Sequence, residues 1–484
     1  MNQAKVKPNV LFFFTDDQRF NTIEAVNNPD IITPNLKRLV ERGTYCTRAY
    51  IMGGTSAAVC MPSRAMVHTG KNLFHLCNSG ESIPADHVLI GEYFQRHGYT
   101  TYGIGKWHNG IKSFTRSFSG GDKIFFGGMD DHWNVPVCSY HAIGEYPQPR
   151  LHDWDSGTGR IEKVPQVYDD IKPGRHSTDL FADTAIDFLR SWNPETDAPF
   201  FLYTAFMAPH DPRTMPKKYL ELYDADTIHL PENFMPQHPF DNGEMDVRDE
   251  HLAGLPRTET EIRKHLTEYY AMITHLDDKI GKILDEADQR GILDTTIIIL
   301  AGDNGLALGS HGLMGKQNLY DHSLHVPLLF AGPGVAENKY MSDYCYLLDI
   351  FPTLCDLTGI AQPKGIEGQS LIPHIAASHT KLDSSGIPSN LFSAFANSRD
   401  SLFFAYKNIQ RAILDRDGYK LILYFDDEGV IKRQQLFNLD ADPLELENLI
   451  RNATLTKRVA ELQITMHSWM VHTDDPLSIA LELP

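Results

Sequence analysis

Five uninterrupted apolar runs constrain the fold of this chain more than any other feature of its sequence. They span residues 9–14, 100–105, 199–206, 295–302 and 326–332. Runs of this length without polar alternation are typical of strands that are buried on both faces. Segments with helical periodicity lie between them, and strands that alternate with helices predict a mostly parallel sheet with helices on both sides.

Three of the intervening segments show clear helix signals. In the first, Thr33 is expected to be the N-cap, Pro34 the first helical residue and Gly43 the stop. The second segment covers residues 177–192, and the third is a long helix over about 259–290. The fold class that follows is α/β.

The pattern changes in two places. Residues 111–174 are rich in Gly, Trp, His and Arg without periodicity, which predicts long loops over the sheet. After residues 376–390, alternating apolar residues separated by turn sequences predict a smaller antiparallel sheet. We therefore expect an N-terminal α/β domain of residues 1–375 and a C-terminal antiparallel subdomain of residues 376–484.

Charge and cysteine content exclude several classes of protein. The net charge of −19 makes a general nucleic-acid or anionic-membrane surface improbable, so an anionic substrate needs a local cluster of cations or a metal. The six cysteines contain no Cys-x-x-Cys pair, which argues against a disulfide scaffold or a zinc ribbon. No apolar run approaches a membrane span. The start, MNQAKVKPN, lacks the apolar segment of a signal peptide, so we expect a cytoplasmic chain, or a periplasmic or secreted one if a signal was removed.

Side chains capable of chemistry follow four of the predicted strands. In chain order they are Asp16 and Asp17, then Lys106 and His108, then His210, then Asp303 and Asn304. Judged singly, each could belong to a cap, a surface loop or a turn. Because the carboxyl ends of parallel strands meet at one edge of a sheet, we expect the four groups to share a crevice. Their oxygen donors suit Ca²⁺ or Mg²⁺ better than zinc.

The stretch AAVCMPSRAMVHTG, residues 57–70, places a thiol, a proline and an arginine before an apolar segment. Pro62 suits the first turn of a helix, which would put Cys60 at the positive N-terminal end. An isolated cysteine there is usually a buried structural residue. A divalent metal and cations such as Arg64 and Lys316 around a reactive group, however, describe a site for an oxyanion such as sulfate or phosphate.

Several motifs resemble those of one family, the type I sulfatases of the alkaline phosphatase superfamily. CMPSRAMVHTG resembles the signature in which the cysteine of Cys-x-Pro-Ser-Arg is oxidised to formylglycine, and GYTTYGIGKWHNG resembles the second signature. NVLFFFTDDQ, APHDP, DNG, HGLMGK and the C-terminal LFNLDADPLELENL follow in the order of that family. The resemblance covers nearly the whole chain and implies an alkaline phosphatase-like fold and the hydrolysis of sulfate esters.

The resemblance also implies roles for individual residues. One Ca²⁺ is expected to be held by five residues: Asp16, Asp17, Asp303, Asn304 and the modified Cys60. Four others are expected to act on the substrate: Lys106 and Lys316 on the sulfate oxygens, His108 as a base, and His210 as a donor to the departing alcohol. The resemblance implies that the formylglycine is hydrated to a diol and that the metal and Arg64 favour ionisation of the hydroxyl that attacks sulfur. A sulfatase-maturation enzyme is the implied partner that reads the sequence around Cys60.

The substrate that the resemblance implies is a sulfated sugar, from a glycosaminoglycan or an algal polysaccharide. The segment 111–174 carries side chains suited to sugar rings and acidic groups, namely Trp133, Trp154, Tyr140, His132, His141, His152, Arg150 and Arg160. Because a charge of −19 repels a long polyanion, we expect a closed pocket for a chain end or a small fragment.

Two alternatives remain open, and one position departs from the family pattern. A phosphoester or phosphonate hydrolase of the same superfamily would use a similar site. A catalytically silent sugar-binding relative would keep the fold without turnover. The departure is His325, which stands where many relatives carry arginine.

Overall fold

The computed structural model describes residues 7–26, 28–155, 160–376 and 399–479. The strands in these ranges, numbered in chain order, are β1 (Asn9–Thr15), β2 (Gly43–Cys46), β3 (Ala49–Tyr50), β4 (Gly53–Gly54), β5 (Thr100–Lys106), β6 (Gly120–Phe125), β7 (Pro136–Val137), β8 (Arg150–Asp155), β9 (Ile161–Gln166), β10 (Asp170–Ile171), β11 (Phe200–Ala205), β12 (Thr296–Gly302), β13 (Leu328–Ala331), β14 (Lys339–Met341), β15 (Cys345–Tyr346), β16 (Ser401–Tyr406), β17 (Gln410–Asp415), β18 (Tyr419–Phe425) and β19 (Ile431–Asn438).

The α-helices of the described ranges lie between and after these strands. They are α1 (Pro34–Glu41), α2 (Cys60–Thr69), α3 (Ile90–Arg96), α4 (Ile111–Ser117), α5 (Ser177–Ser191), α6 (Lys217–Leu220), α7 (Glu259–Gln289), α8 (Asp321–Leu324), α9 (Ile350–Thr358), α10 (Ile372–Ile375) and α11 (Thr456–His472).

The large sheet has eight strands in the order β14-β2-β13-β12-β1-β11-β5-β6. Strand β1 pairs in parallel with β11 and β12, and the pairs β11–β5 and β5–β6 are also parallel. Only the pairs of β13 with β12 and with β2 are antiparallel. The predicted mostly parallel sheet is therefore confirmed, and β1, β5, β11 and β12 end on the same edge.

Both faces of the large sheet are buried, as the uninterrupted apolar runs predict. Phe12 and Phe14 of β1 belong to one apolar core, and Leu11 and Phe13 belong to the core on the opposite face. All seven residues of β1 are buried. Because successive side chains of a strand point to opposite faces, a strand buried on both faces, such as β1, needs apolar residues at odd and at even positions.

The first predicted helix forms, but two of its terminal signals act differently. The Thr33 side chain makes no cap bond; instead, the carboxylate of Asp277 on α7 accepts hydrogen bonds from the backbone N–H groups of Asn35, at 3.2 Å, and Leu36, at 2.7 Å. Helix α1 ends at Glu41, and Gly43 begins β2 rather than capping the helix. Gly43 is needed there because a Cβ would lie 2.1 Å from the backbone oxygen of Phe330.

The prediction of long loops over residues 111–174 is wrong in part. This segment contains α4, the edge strand β6 and a hairpin of β8 and β9 that forms its own antiparallel sheet. The hairpin was not recognised because its residues are mainly polar and its few apolar residues, such as Leu151, Trp154, Ile161 and Val164, do not alternate in the sequence.

The second sheet has five strands in the order β19-β18-β17-β16-β4. Strands β16 to β19 pair antiparallel, as the alternating pattern predicts, whereas β4 pairs in parallel with β16. The smaller sheet thus includes one strand from early in the chain. The domain boundary near residue 376 remains a prediction, since residues 377–398 lie outside the described ranges. In the described ranges, no helix combines the length and the apolar character required to cross a bilayer.

Candidate active site

The ends of four parallel strands bring the predicted acidic residues together. The backbone N–H of Asp17, just after β1, donates to Oδ1 of Asp303 after β12 at 3.0 Å. Nδ2 of Asn304 donates to Oδ1 of Asp17 at 2.8 Å. His210, after β11, places Nε2 3.6 Å from Oδ2 of Asp17. Lys106, the last residue of β5, contacts the carboxylate of Asp16.

Asp17 adopts a left-handed backbone conformation, with φ at 62°. Aspartate tolerates this region better than most residues, because its short side chain can bond locally. The hydroxyl of Tyr269, on α7, donates to the backbone oxygen of Asp17 at 2.6 Å. This contact and the bond to Asp303 hold the turn that aims the Asp17 carboxylate into the site.

Helix α2 supplies the thiol and a buried cation. Sγ of Cys60 lies 3.3 Å from Nδ1 of His108 and 3.8 Å from Nζ of Lys106. One turn later, Nε of Arg64 donates to Oδ2 of Asp303 at 2.8 Å. The helix begins at Cys60 and ends at Thr69, and Gly70, with φ at 63°, is its left-handed C-cap. Burial raises the pKa of Cys60 to about 11, so the unmodified thiol is protonated at neutral pH.

The oxygen atoms of this site are suited to a divalent cation. Oδ1 of Asp16 and Oδ1 of Asn304 are buried and have no hydrogen-bond partner in the described chain. The ligand atoms of Asp16, Cys60 and Asp303 lie within 4.8 Å of one another. Burial and the neighbouring Asp303 raise the pKa of Asp16 to about 8, against the opposing effect of Lys106 and Arg64. Carboxylate and amide oxygens of this kind fit Ca²⁺ or Mg²⁺.

Lys316 joins the site through a network that the sequence did not reveal. Its ammonium group lies 2.5 Å from Oδ1 of Asp17. Its backbone N–H donates to Oε1 of Gln317 at 2.9 Å, and Nε2 of Gln317 donates to Oδ2 of Asp249 at 2.8 Å. Gln317 was identifiable only as the neighbour of Lys316 in the motif, and nothing around Asp249 marks it in the sequence.

His210 is fixed from behind by a second buried histidine. Nε2 of His132 donates to the backbone oxygen of His210 at 3.0 Å, and Nδ1 of His132 lies 2.7 Å from Oγ of Ser177. Burial, together with Lys316 and Lys106, lowers the pKa of His210 well below its usual value. Next in the chain, the Asp211 carboxylate pairs with Arg248.

The predicted sugar-binding residues of segment 111–174 fall into three groups by burial, and Trp133, Tyr140 and His141 form the half-buried one. His132, His152 and Trp154 are buried, and Arg248 lies 5.5 Å from the centroid of the Trp154 ring. Arg150 and Arg160 are exposed. Trp154 therefore approaches the site through Arg248, the partner of Asp211.

His325 lies apart from the acidic cluster. Its ring stacks between Phe20, at 4.0 Å, and Tyr50, at 4.7 Å, and Nδ1 lies 3.7 Å from Asp321. The position where the resemblance implies arginine thus holds a packed aromatic ring.

Comparisons with known proteins agree with this arrangement. The family model described as Sulfatase matches residues 8–360, and a model described as N-sulphoglucosamine sulphohydrolase, C-terminal, matches residues 309–472. An N-acetylglucosamine-6-O-sulfatase of Bacteroides thetaiotaomicron is 24% identical, with 94% of this chain and 85% of the relative covered. An ulvan-active sulfatase of Formosa agariphila is 27% identical, and the match covers 94% of this chain and 82% of the relative.

Among solved structures, one described in complex with its substrate D-glucosamine-2-N,6-O-disulfate superposes with a TM-score of 0.74. It is 21% identical, and the match covers 98% of this chain and 99% of the other. This likeness shows the shared fold. Because the family match covers most of the chain, residues 8–360, the protein belongs to the sulfatase family of the alkaline phosphatase superfamily and is a sulfuric ester hydrolase.

Proposed function

We propose that the protein hydrolyses a sulfate ester on a carbohydrate, using a formylglycine made from Cys60. The observation that carries the proposal is the position of Sγ of Cys60, 3.3 Å from His108 and 3.8 Å from Lys106, at the N-terminus of a buried helix. As its hydrate, formylglycine would supply the hydroxyl that attacks sulfur and a second hydroxyl whose ionisation releases sulfate.

The metal we propose is one Ca²⁺, held by Asp16, Asp17, Asp303, Asn304 and the modified Cys60. The two unpartnered buried oxygens, Oδ1 of Asp16 and Oδ1 of Asn304, support this ligand set. Bound there, calcium would supply positive charge to the sulfate oxygens and the attacking hydroxyl.

The cations and histidines of the chain have separate proposed roles. Lys106 and Lys316 each contact a carboxylate, and since an ammonium group has three donors, each can also bind a sulfate oxygen. His108, next to Cys60, takes the proton whose loss releases sulfate. His210 gives a proton to the departing alcohol, and His132 holds it in place. Arg64, bonded to Asp303, stabilises negative charge near residue 60.

The proposed substrate is a small sulfated sugar or the end of a sulfated chain, of glycosaminoglycan or algal origin. Two similar sulfatases are named for N-acetylglucosamine 6-O-sulfate and for ulvan. The site residues Cys60, Lys106, His210 and Lys316 are all buried, which supports a narrow pocket rather than an open groove. The proposed maturation enzyme would read the sequence around Cys60 before folding buries it.

The experiment that tests the proposal compares hydrolysis of four substrates by the matured protein. Sulfate release is measured for defined sulfated disaccharides, an intact sulfated polysaccharide and an aryl sulfate, and alcohol release is measured for a phosphodiester. We expect the disaccharides to be the best substrates. Preference for the phosphodiester would support a phosphoester hydrolase, activity on polymer without activity on fragments would contradict the narrow pocket, and sugar binding without turnover would indicate a silent relative.

A further inference from the structure

Arg213 lies three residues after His210 and presents an unused pair of donors. Nη1 donates to Nδ1 of His265, on α7, at 2.9 Å. Nε and Nη2 are buried and have no hydrogen-bond partner in the described chain. These two groups form one edge of the guanidinium plane, which is the edge that binds carboxylate or sulfate with two parallel hydrogen bonds.

The charge of Arg213 is also not neutralised by an ion pair. No carboxylate oxygen of the described residues lies within 4.0 Å of its nitrogen atoms. By contrast, Arg64 has Asp303 and Arg248 has Asp211 and Asp249 as partners. Glu268, Asp17 and Asp249 act on Arg213 from beyond ion-pair distance, so its free edge lacks a contacting counter-charge and can take an anion.

The hydrogen-bond partner of Arg213 does not supply that counter-charge. Burial, together with Arg213 itself, lowers the pKa of His265 to about 3, so its imidazole is a neutral acceptor. Burial lowers the pKa of Arg213, but an arginine side chain stays charged at neutral pH.

Helix α7 links Arg213 to the acidic cluster of the active site. His265, which binds Arg213, and Tyr269, which donates to the backbone oxygen of Asp17, are four residues apart on this helix. Side chains with that spacing lie about 5–6 Å apart at their Cβ atoms on one helix face. The guanidinium is therefore near Asp17, whose charge acts on it and whose carboxylate lies 3.6 Å from His210.

We propose that Nε and Nη2 of Arg213 bind a second oxyanion of the substrate, a carboxylate or a further sulfate on the sugar that carries the reacting ester. This inference rests on the proposed function and narrows its substrate class to sugars with at least two acidic groups. A site near His210 would contact the alcohol part of the ester, where such a group would lie.

The test measures binding in the Cys60→Ala background, so that it does not depend on turnover. Titration calorimetry compares Cys60→Ala with Cys60→Ala/Arg213→Gln for three probes: a monosulfated hexosamine, a disulfated hexosamine, and a monosulfated disaccharide that contains a uronic acid. We expect Arg213→Gln to lower the affinity for at least one of the two diacidic probes tenfold or more, relative to its effect on the affinity for the monosulfated probe. A loss of affinity for the disulfated hexosamine indicates that Arg213 binds a sulfate, and a loss for the uronic acid disaccharide indicates that it binds a carboxylate.

Two further variants separate recognition from folding. Arg213→Lys keeps the charge but lacks the two-donor edge. Its affinity for the diacidic probe should lie between that of the parent and that of Arg213→Gln. Arg190→Gln, an exposed arginine paired with Glu286, should leave the ratio of affinities as it is. Equal weakening of all three probes, no weakening, or no binding of any diacidic probe would overturn the subsite. Absence of turnover by the matured protein despite diacidic selectivity would instead overturn only the proposed function.

Discussion

Nε of Arg64 donates a 2.8 Å hydrogen bond to Oδ2 of Asp303, and both side chains are buried. The bond joins helix α2, which carries Cys60, to the end of strand β12. Although burial opposes it, the neighbouring Asp303 raises the pKa of Arg64. Arg64 thus joins the helix to the acidic cluster through this bond and through Asp16, whose Oδ1 lies 3.9 Å from Nη2.

Replacing Arg64 should therefore destabilise the fold as well as the site. Arg64→Met leaves Asp303 buried without its cation, and we expect the free energy of unfolding of metal-free protein to fall by about 3–5 kcal/mol. Urea unfolding measures this change. Arg38→Met, which removes an exposed pair with Asp285, is the matched control and should cost at most about 1 kcal/mol. An equally small decrease in the free energy of unfolding of both variants would contradict the structural role of Arg64.

Removal of the metal should lower both activity and thermal stability. Burial, Asp303 and Asp17 raise the pKa of Asp16 to about 8, and a bound cation would relieve the repulsion that the ionised Asp16 meets. We expect EDTA to abolish sulfate release and to lower the melting temperature, with recovery on adding Ca²⁺. In Asp16→Asn, the effect of EDTA on the melting temperature should be much smaller. An unchanged activity and melting temperature in EDTA would exclude the metal site.

The side chain of Asp130 should make stability depend on pH. Burial raises its pKa to about 8, and its Oδ1 lies 3.0 Å from Nε2 of His152. Since the folded state holds this proton while the unfolded state has lost it, stability should fall as pH rises between about pH 5 and about pH 8. Asp130→Asn is neutral throughout, so its stability relative to the parent should increase over that range. Urea unfolding at both ends of the range tests this, and a constant difference would contradict it.

The position of His108 depends on the absence of a side chain at residue 128. A Cβ on Gly128 would lie 3.0 Å from the His108 ring, so Gly128→Ala should displace the imidazole from residue 60. Because small displacements of catalytic groups are costly, we expect kcat to fall by about tenfold to a hundredfold. Gly254→Ala, whose Cβ would meet its nearest neighbour at 3.7 Å, is the matched control and should retain activity. The same kcat for Gly128→Ala and Gly254→Ala would contradict the proposed role of His108.

The sheet and the main helices could be predicted because their signals are local. The apolar runs 9–14 and 295–302 correspond to β1 and β12, and the antiparallel C-terminal strands follow from alternation. Capping of α1 by Asp277 could not be predicted, because the two groups are about 240 residues apart in the chain. The hairpin of β8 and β9 was missed because its strands lack a regular apolar alternation.

The site was predictable only where its residues lie in motifs or at strand ends. The structure brings together four residues that lie in such places: Asp16, Lys106, His210 and Asp303. Asp249 and Arg213 lie between the motifs, and their positions depend on how the segment before α7 folds back. No periodicity or spacing marks such residues, so only the three-dimensional contacts reveal them.

The central claim is that Cys60 is converted to formylglycine and that this conversion enables turnover. Mass spectrometry of the tryptic peptide containing Cys60, on protein purified from its native host, tests it together with sulfate release by the same sample. The account predicts a peptide mass lowered by the conversion, turnover in proportion to the converted fraction, and no turnover in Cys60→Ala. An intact thiol in protein that releases sulfate at full rate, or near-normal activity in Cys60→Ala, would contradict it.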